Sequence, residues 1–113
     1  KKRHSNEEAY GTKDSDHEKR WSRIATDDAW AAGRSGHAVT SIGSRAYIFG
    51  GCGGSKVSAS PTDDLLYLDM ETKCCGKVKS QGQKPLPRAS FAMCKGPNNG
   101  TIIIAGGTGE KGI

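Results

Sequence analysis

The 113-residue sequence predicts an all-β fold, and three observations carry that reading. Apolar runs of four or five residues alternate with glycine, proline and serine. No window places apolar residues at the three-and-four spacing of a helix stripe. The second half of the chain also repeats the first, which points to a fold built from recurring units.

The repeat is specific. Residues 46–51 read AYIFGG and residues 102–107 read IIIAGG. Upstream of each, Arg34-Ser35-Gly36-His37-Ala38-Val39 aligns with Arg88-Ala89-Ser90-Phe91-Ala92-Met93, and Trp21-Ser22-Arg23-Ile24 with Cys75-Gly76-Lys77-Val78. The two arginines stand 54 residues apart and the glycine pairs 56, the difference falling in the turn Gly96-Pro97-Asn98-Asn99-Gly100. A period of this size marks a propeller blade or a solenoid unit.

Taken in order, residues 1–20 are almost free of apolar side chains and read as a flexible polar arm or loop, because they cannot bury enough surface to offset the entropy of ordering. Trp21 to Ile24 is a short strand. Gly36 to Ile42 and Ala46 to Gly50 are two strands joined by a turn at Gly43-Ser44. The glycine-, serine- and proline-rich stretch from Gly51 to Thr62 is a loop. Asp64 to Asp69 and Cys75 to Lys79 are strands about a Met70-Glu71-Thr72-Lys73 turn. After Pro85 and Pro87 the cycle restarts, with strands at Phe91 to Cys94 and Thr101 to Ala105.

Several function classes lose ground on composition alone. The net charge of +5 is spread as mixed charge: residues 1–20 hold six Lys/Arg against five Asp/Glu, the remainder eleven against seven. Nucleic-acid binders concentrate Lys and Arg on one face, whereas here Lys73, Lys77, Lys79 and Lys84 form the one local cluster, which reads as a guarded strand edge. No nucleic-acid partner is expected. No run approaches the roughly 20 apolar residues that a membrane-spanning helix needs, so no membrane partner is expected either. Cys52, Cys74, Cys75 and Cys94 show no C-x-x-C spacing, and without a secretory context they read as reduced thiols in a cytoplasmic protein.

The final stretch TIIIAGGTGEKGI holds Gly107, Gly109 and Gly112 in a G-x-G-x-x-G spacing. A dinucleotide site would need a helix opening at the last glycine and an acidic residue about 20 positions further on. The repeat explains the same glycines as a recurring strand end. The two readings differ in a checkable way, since the repeat makes Gly50 and Gly106 equivalent strand ends and the dinucleotide site requires a helix near Gly109.

With this cycle laid out, residues 21–113 resemble kelch repeats. The resemblance rests on Arg34 with Gly36-His37-Ala38, the pair Gly50-Gly51, the Asp63-Asp64-Leu65-Leu66-Tyr67 strand entry and Asp69-x-x-Thr72-x-x-Cys75. In the second copy it rests on Pro85-x-Pro87-Arg88, Phe91 and Gly106-Gly107. The sequence departs from the family pattern twice. Cys75 stands where a tryptophan is expected, a role Trp21 keeps in the preceding unit, and Trp30-Ala31-Ala32-Gly33 replaces the proline before Arg34.

The resemblance implies a β-propeller of four-stranded antiparallel blades, here an incomplete ring. Residues 21–33 would be the outer strand of a preceding blade and a linker, residues 34–79 a complete blade, and residues 80–113 the first half of the next. The strand ending in Gly-Gly would lie towards the crowded centre. Arg34 and Arg88 would make structural hydrogen bonds to loops or backbone carbonyls. The remaining blades would come from a longer chain or an assembly.

The function that the resemblance implies is a non-catalytic interaction module, a scaffold that binds an unknown protein partner through inter-strand loops, with no cofactor. The candidate partner-binding segment is the loop Cys52, Gly53, Gly54, Ser55, Lys56 onward to Thr62, with Asp63. The alternative is a kelch propeller belonging to an enzyme or enzyme-associated protein: oxidase-like, nitrile-specifier-like, or fused to a phosphatase or methyltransferase domain. Catalysis requires clustered ligands or an acid/base pair. His37 has Phe91 as its copy-two counterpart and reads as a packing position. Asp63 and Asp64 are adjacent on a strand entrance and face opposite ways. His4 and His17 lie in the polar arm.

Overall fold

The computed structural model describes residues 9–15, 18–26, 33–53, 60–98 and 100–109. The described chain is all-β, with ten strands arranged in one four-stranded and three two-stranded antiparallel sheets and no helix.

The first sheet corrects the expectation of a polar arm. β1 (Ala9–Ser15) and β2 (Glu18–Ile24) form an antiparallel hairpin, with Tyr10 opposite Arg23 and Thr12 opposite Trp21. The strand expected at Trp21 thus starts three residues earlier and has a partner inside the supposed arm. Apolar content fails as a guide here, because a hairpin satisfies its backbone by cross-strand pairing whatever its side chains. Residues 1–8 lie outside the described residues.

A two-residue ribbon precedes the main sheet in space: β3 (Arg34–Ser35) pairs with β6 (Cys52–Gly53), Arg34 opposite Gly53 and Ser35 opposite Cys52. The main sheet is a meander of β4 (Ala38–Ile42), β5 (Arg45–Phe49), β7 (Leu65–Asp69) and β8 (Cys75–Lys77), hydrogen-bonded in that order. Its register runs Ala38 opposite Phe49, Phe49 opposite Leu65, and Leu68 opposite Cys75. Period-two alternation sorts the side chains: in β7, Leu66 and Leu68 are buried between half-buried Leu65, Tyr67 and Asp69. Lys77 lies on the edge strand β8 and is exposed, as a charge guarding a free edge should be.

β9 (Ala92–Lys95) and β10 (Ile102–Ala105) form the last hairpin, Ile104 opposite Met93 and Ile102 opposite Lys95. β9 packs beside β4, so the first strands of successive units lie together. The strand ending in Gly50-Gly51 is β5, second in its sheet, and its glycine end lies against Arg88 and Phe91 of the neighbouring unit.

Among the described residues the buried apolar ones are Phe49, Leu66, Leu68 and Ala89. Phe49, 2% exposed, meets Phe91 edge to face with ring centroids 5.7 Å apart. That pair joins the two units and contributes about 0.5–1.5 kcal/mol beyond the area it buries.

Candidate functional site

The residues singled out by the repeat converge on the junction between the two units. Arg34 Nη1 donates to the Gly50 carbonyl at 3.1 Å, and Arg88 Nη1 donates to the Gly106 carbonyl at 2.9 Å. Each arginine therefore clips the end of the second strand of its own unit. Both glycine pairs have left-handed backbones, with φ of 74° and 93° at Gly50 and Gly51 and 80° and 100° at Gly106 and Gly107. A non-glycine residue is disfavoured in that region.

Close approach adds a second reason for glycine. A Cβ on Gly50 would sit 2.6 Å from the Arg88 carbonyl oxygen and 2.8 Å from Phe91 Cε1. A Cβ on Gly51 would sit 2.9 Å from the Cβ of His37, and one on Gly107 would sit 2.8 Å from the Cβ of Phe91. His37 and Phe91 are thus equivalent in the backbone. Their side chains differ, since the Phe91 ring packs on Phe49 while His37 is exposed, so the packing expected at His37 is not seen for its side chain and only its backbone and Cβ take part in the junction.

Backbone bonds fasten the units across this junction. Gly51 N donates to the Arg88 carbonyl at 2.9 Å, and Ser90 N donates to the Gly36 carbonyl at 2.8 Å. Gly36 and Ser90 are counterparts in the repeat, and both have positive φ, 76° and 57°. Ala89, buried, exchanges backbone bonds with Thr108 at 2.9 Å. Gly50 and Gly106 end β5 and β10 in the same way, and Gly109 belongs to no element; residues 110–113 lie outside the described residues. The terminal glycines up to Gly109 are a repeated strand end.

Asp69 and Thr72 build the turn between β7 and β8. Asp69 Oδ1 accepts from the backbone N–H of Glu71 at 3.0 Å and of Thr72 at 3.1 Å, and Thr72 Oγ1 accepts from Cys74 N at 3.3 Å. Asp69 Oδ2 accepts from Arg45 Nε at 3.3 Å. The Thr72 N–H first, then Glu71 N–H and the Arg45 guanidinium, hold the Asp69 carboxyl below its ordinary value of 3.8 against the opposing effect of desolvation. Arg45 in turn lies 4.2 Å from the centre of the Tyr67 ring. This explains the Asp-x-x-Thr spacing and gives Tyr67 a partner; Arg45 is the participant that the repeat could not flag, because its counterpart in the second copy is Thr101.

The candidate loop is described in part. Cys52 and Gly53 are tied into β6, Cys52 bridges to Pro61, and Thr62 N donates to the Gly51 carbonyl at 2.9 Å. Gly54, Ser55 and Lys56 lie outside the described residues. Asp63 pairs with Lys84 at 3.6 Å and Asp64 with Lys77 at 3.5 Å, so the two adjacent carboxylates do face different partners. Asp63 and Lys84 stand at the rim of a cleft of about 200 Å³ whose apolar walls are Phe49, Leu65, Ile102 and Ile104. The four cysteines are free thiols, and among the described residues no three of His, Cys, Asp or Glu gather as a metal-binding group. No described helix is long and apolar enough to cross a membrane.

Comparison with known proteins adds the following. The model of the KLHDC2/KLHL20/DRC7 kelch-repeats domain matches residues 9–113. The match starts at the first residue of β1, so it takes in the β1–β2 hairpin. The chain is similar to the dynein regulatory complex subunit 7 of Chlamydomonas reinhardtii, 34% identical over 79 residues, which is 69% of this chain and 7% of that protein. It is also similar to the acyl-CoA-binding domain-containing proteins 4 and 5 of Arabidopsis thaliana, each 30% identical over 88 residues, 78% of this chain and 13% of those proteins. The chain therefore spans a small fraction of the curated relatives it matches.

Proposed function

Because the chain belongs to the kelch-repeat family, we propose that it is a non-catalytic scaffold that binds a protein partner through the loops carried on its blades. The observation that carries this reading is how fully the conspicuous polar residues are engaged in holding the fold. Arg34 and Arg88 clip strand ends, Asp69 builds a turn, and Asp64 is matched to Lys77. What is left for a ligand is a rigid frame with variable connections, the arrangement in which binding residues sit on loops. The segment from Cys52 to Asp63, with the facing Lys84, is the surface we assign to the partner.

The similarity to a subunit of a dynein regulatory complex supports a partner that is itself a protein, in a larger assembly. Mixed charge supports a protein over nucleic acid, because Lys77 and Lys84 already face carboxylates. We assign the protein to the cytoplasm, where its four thiols would stay reduced. The remaining blades of the propeller are supplied by a longer chain or an assembly.

The test compares the proteins that co-purify with the tagged chain and with its Asp63→Arg and Lys84→Glu variants, each checked for an unchanged unfolding midpoint. Partners that are lost from both single variants and return with the double charge swap support the assignment. An identical set of partners from all four proteins contradicts it.

A further inference from the structure

β8 closes the four-stranded sheet as its last strand, and among the described residues β7 is its one sheet neighbour. Asp69 N donates to the Cys74 carbonyl at 2.7 Å, and Val78 N donates to the Leu65 carbonyl at 2.8 Å. In an antiparallel ladder the residues that bond a given neighbour alternate, so Cys74, Gly76 and Val78 turn their N–H and C=O groups towards β7. Cys75 and Lys77 therefore turn theirs outward, each a backbone donor and acceptor at an open edge. The edge is also low at its centre. Gly76 stands opposite Tyr67, and a Cβ on Gly76 would meet Tyr67 Cε1 at 3.1 Å and Oη at 3.2 Å, so the phenol ring lies across β8 where a side chain would be.

Charge selects what can pair with this edge. From Thr72 to Gly109 the sequence holds six Lys/Arg and no Asp or Glu. Three of the six, Lys73, Lys77 and Lys79, are exposed and belong to β8 or its immediate flanks. Lys77 has Asp64 at 3.5 Å, yet its side chain remains 68% exposed, and Lys79 has no ion-pair partner among the described residues. These lysines repel a second copy of the same edge, which is how they guard it. An acidic strand meets no such repulsion and neutralises them.

We infer that the outer edge of β8 receives an extended acidic segment of a protein partner by strand addition. The backbone of that segment bonds Cys75 and Lys77. Its side chains alternate in face: carboxylates fall on the side of Lys77 and Lys79, and an apolar residue opposite Gly76 lies against the Tyr67 ring. The backbone bonds supply the hold and the lysines choose the partner. This rests on the reading of the chain as a protein-binding scaffold, and adds to it a second surface and the chemistry of what that surface binds.

The experiment titrates the full-length protein into a fluorescent peptide of alternating glutamate and valine and follows the anisotropy. Saturable binding that weakens as salt is raised is expected. A lysine–valine peptide should not bind. The glutamate–valine peptide N-methylated at alternate amides keeps its charge but cannot pair as a strand, and should bind about tenfold more weakly. Lys79→Glu should weaken binding about fivefold, the upper value for an exposed ion pair. Cys75→Pro keeps every charge and removes an outward N–H, so it should lose binding in a protein that still unfolds cooperatively; the N-methylated peptide makes the same test without altering the protein. Asp63→Arg, in the loop surface assigned above, should bind the peptide at least as tightly, so the two assignments fail separately. Absence of saturable binding by the glutamate–valine peptide overturns the inference. So does equal binding of its N-methylated form, or its displacement by duplex DNA at the same charge concentration, since either makes the edge a general patch for anions.

Discussion

Ser90 donates its backbone N–H to the carbonyl of Gly36 at 2.8 Å, and these two residues are each other's counterpart in the repeat. Equivalent positions of successive blades are therefore linked directly. Both have left-handed backbones, at φ 76° for Gly36 and 57° for Ser90, yet one is glycine and the other is not. Left-handed φ costs a residue with a Cβ about 1–2 kcal/mol, partly offset by the greater entropy glycine loses on folding. Ser90→Gly should stabilise the chain by about 0.5–1 kcal/mol, whereas Gly36→Ala, whose Cβ would come within 3.1 Å of the Ala89 Cβ, should destabilise it. Urea unfolding of both variants measures the two signs.

Gly50 and Gly106 provide an internal control for crowding. Their φ values, 74° and 80°, are nearly the same, but a Cβ on Gly50 would collide with Arg88 and Phe91, while one on Gly106 would have no neighbour within 4 Å. Gly106→Ala should cost about 1–2 kcal/mol, the strain of φ alone. Gly50→Ala should cost clearly more, because the Arg88 carbonyl at 2.6 Å is backbone and cannot step aside without parting the blades. Equal midpoint shifts for the two would contradict the packing described for the junction.

The ring pair Phe49 and Phe91 holds that junction on its apolar side. Phe91→Ala should lower stability by less than about 3–5 kcal/mol, the range for a fully buried phenylalanine, because Phe91 is half-buried. Phe91→His, which restores the residue of the first repeat, should lose less than Phe91→Ala. Arg34→Ala removes a charged donor from the buried Gly50 and should cost about 1.5–3 kcal/mol. Calorimetry of the three variants ranks these effects.

Asp69 gives the fold a defined acid sensitivity. Its carboxyl is held below 3.8 in the folded chain, by the Thr72 N–H first, so the carboxylate contributes stability that is fully present above 3.8. That contribution is lost as pH falls through the lower folded value. Asp69→Asn should destabilise at pH 7, and the gap to the parent should narrow as pH drops below about 4, near the ordinary carboxylate value. Urea midpoints of both proteins across that interval check the sign.

The parts of the fold that were legible in the sequence are those where the backbone leaves few choices. Gly50-Gly51 and Gly106-Gly107 could be found by repetition because left-handed φ and close approach both exclude other residues. Asp69 and Thr72 could be found because a tight turn needs side-chain acceptors at fixed offsets. β1 was illegible, since its seven residues AYGTKDS carry little apolar pattern and their pairing with β2 is a backbone matter. β6 was hidden inside a glycine-rich loop, and each strand of the β3–β6 ribbon is only two residues long. Arg45 escaped notice because it does not repeat, and the pairing of Asp63 with Lys84 because it joins residues distant in sequence. His37 was placed in the packing through its likeness to Phe91, but the repeat constrains its backbone and leaves its ring exposed.

The central claim is that the two repeats are packed blades joined through the Gly-Gly strand end. Amide hydrogen exchange at Gly51 and Ser90 tests it most directly, because their N–H groups are bonded across the junction, to Arg88 and to Gly36. Packed blades predict slow exchange at both, comparable with the inner strand β5 and far slower than at the exposed Gly82 and Gly100. Exchange at Gly51 and Ser90 as fast as at Gly82, with β5 still protected, would mean that each repeat folds but the two do not pack as blades.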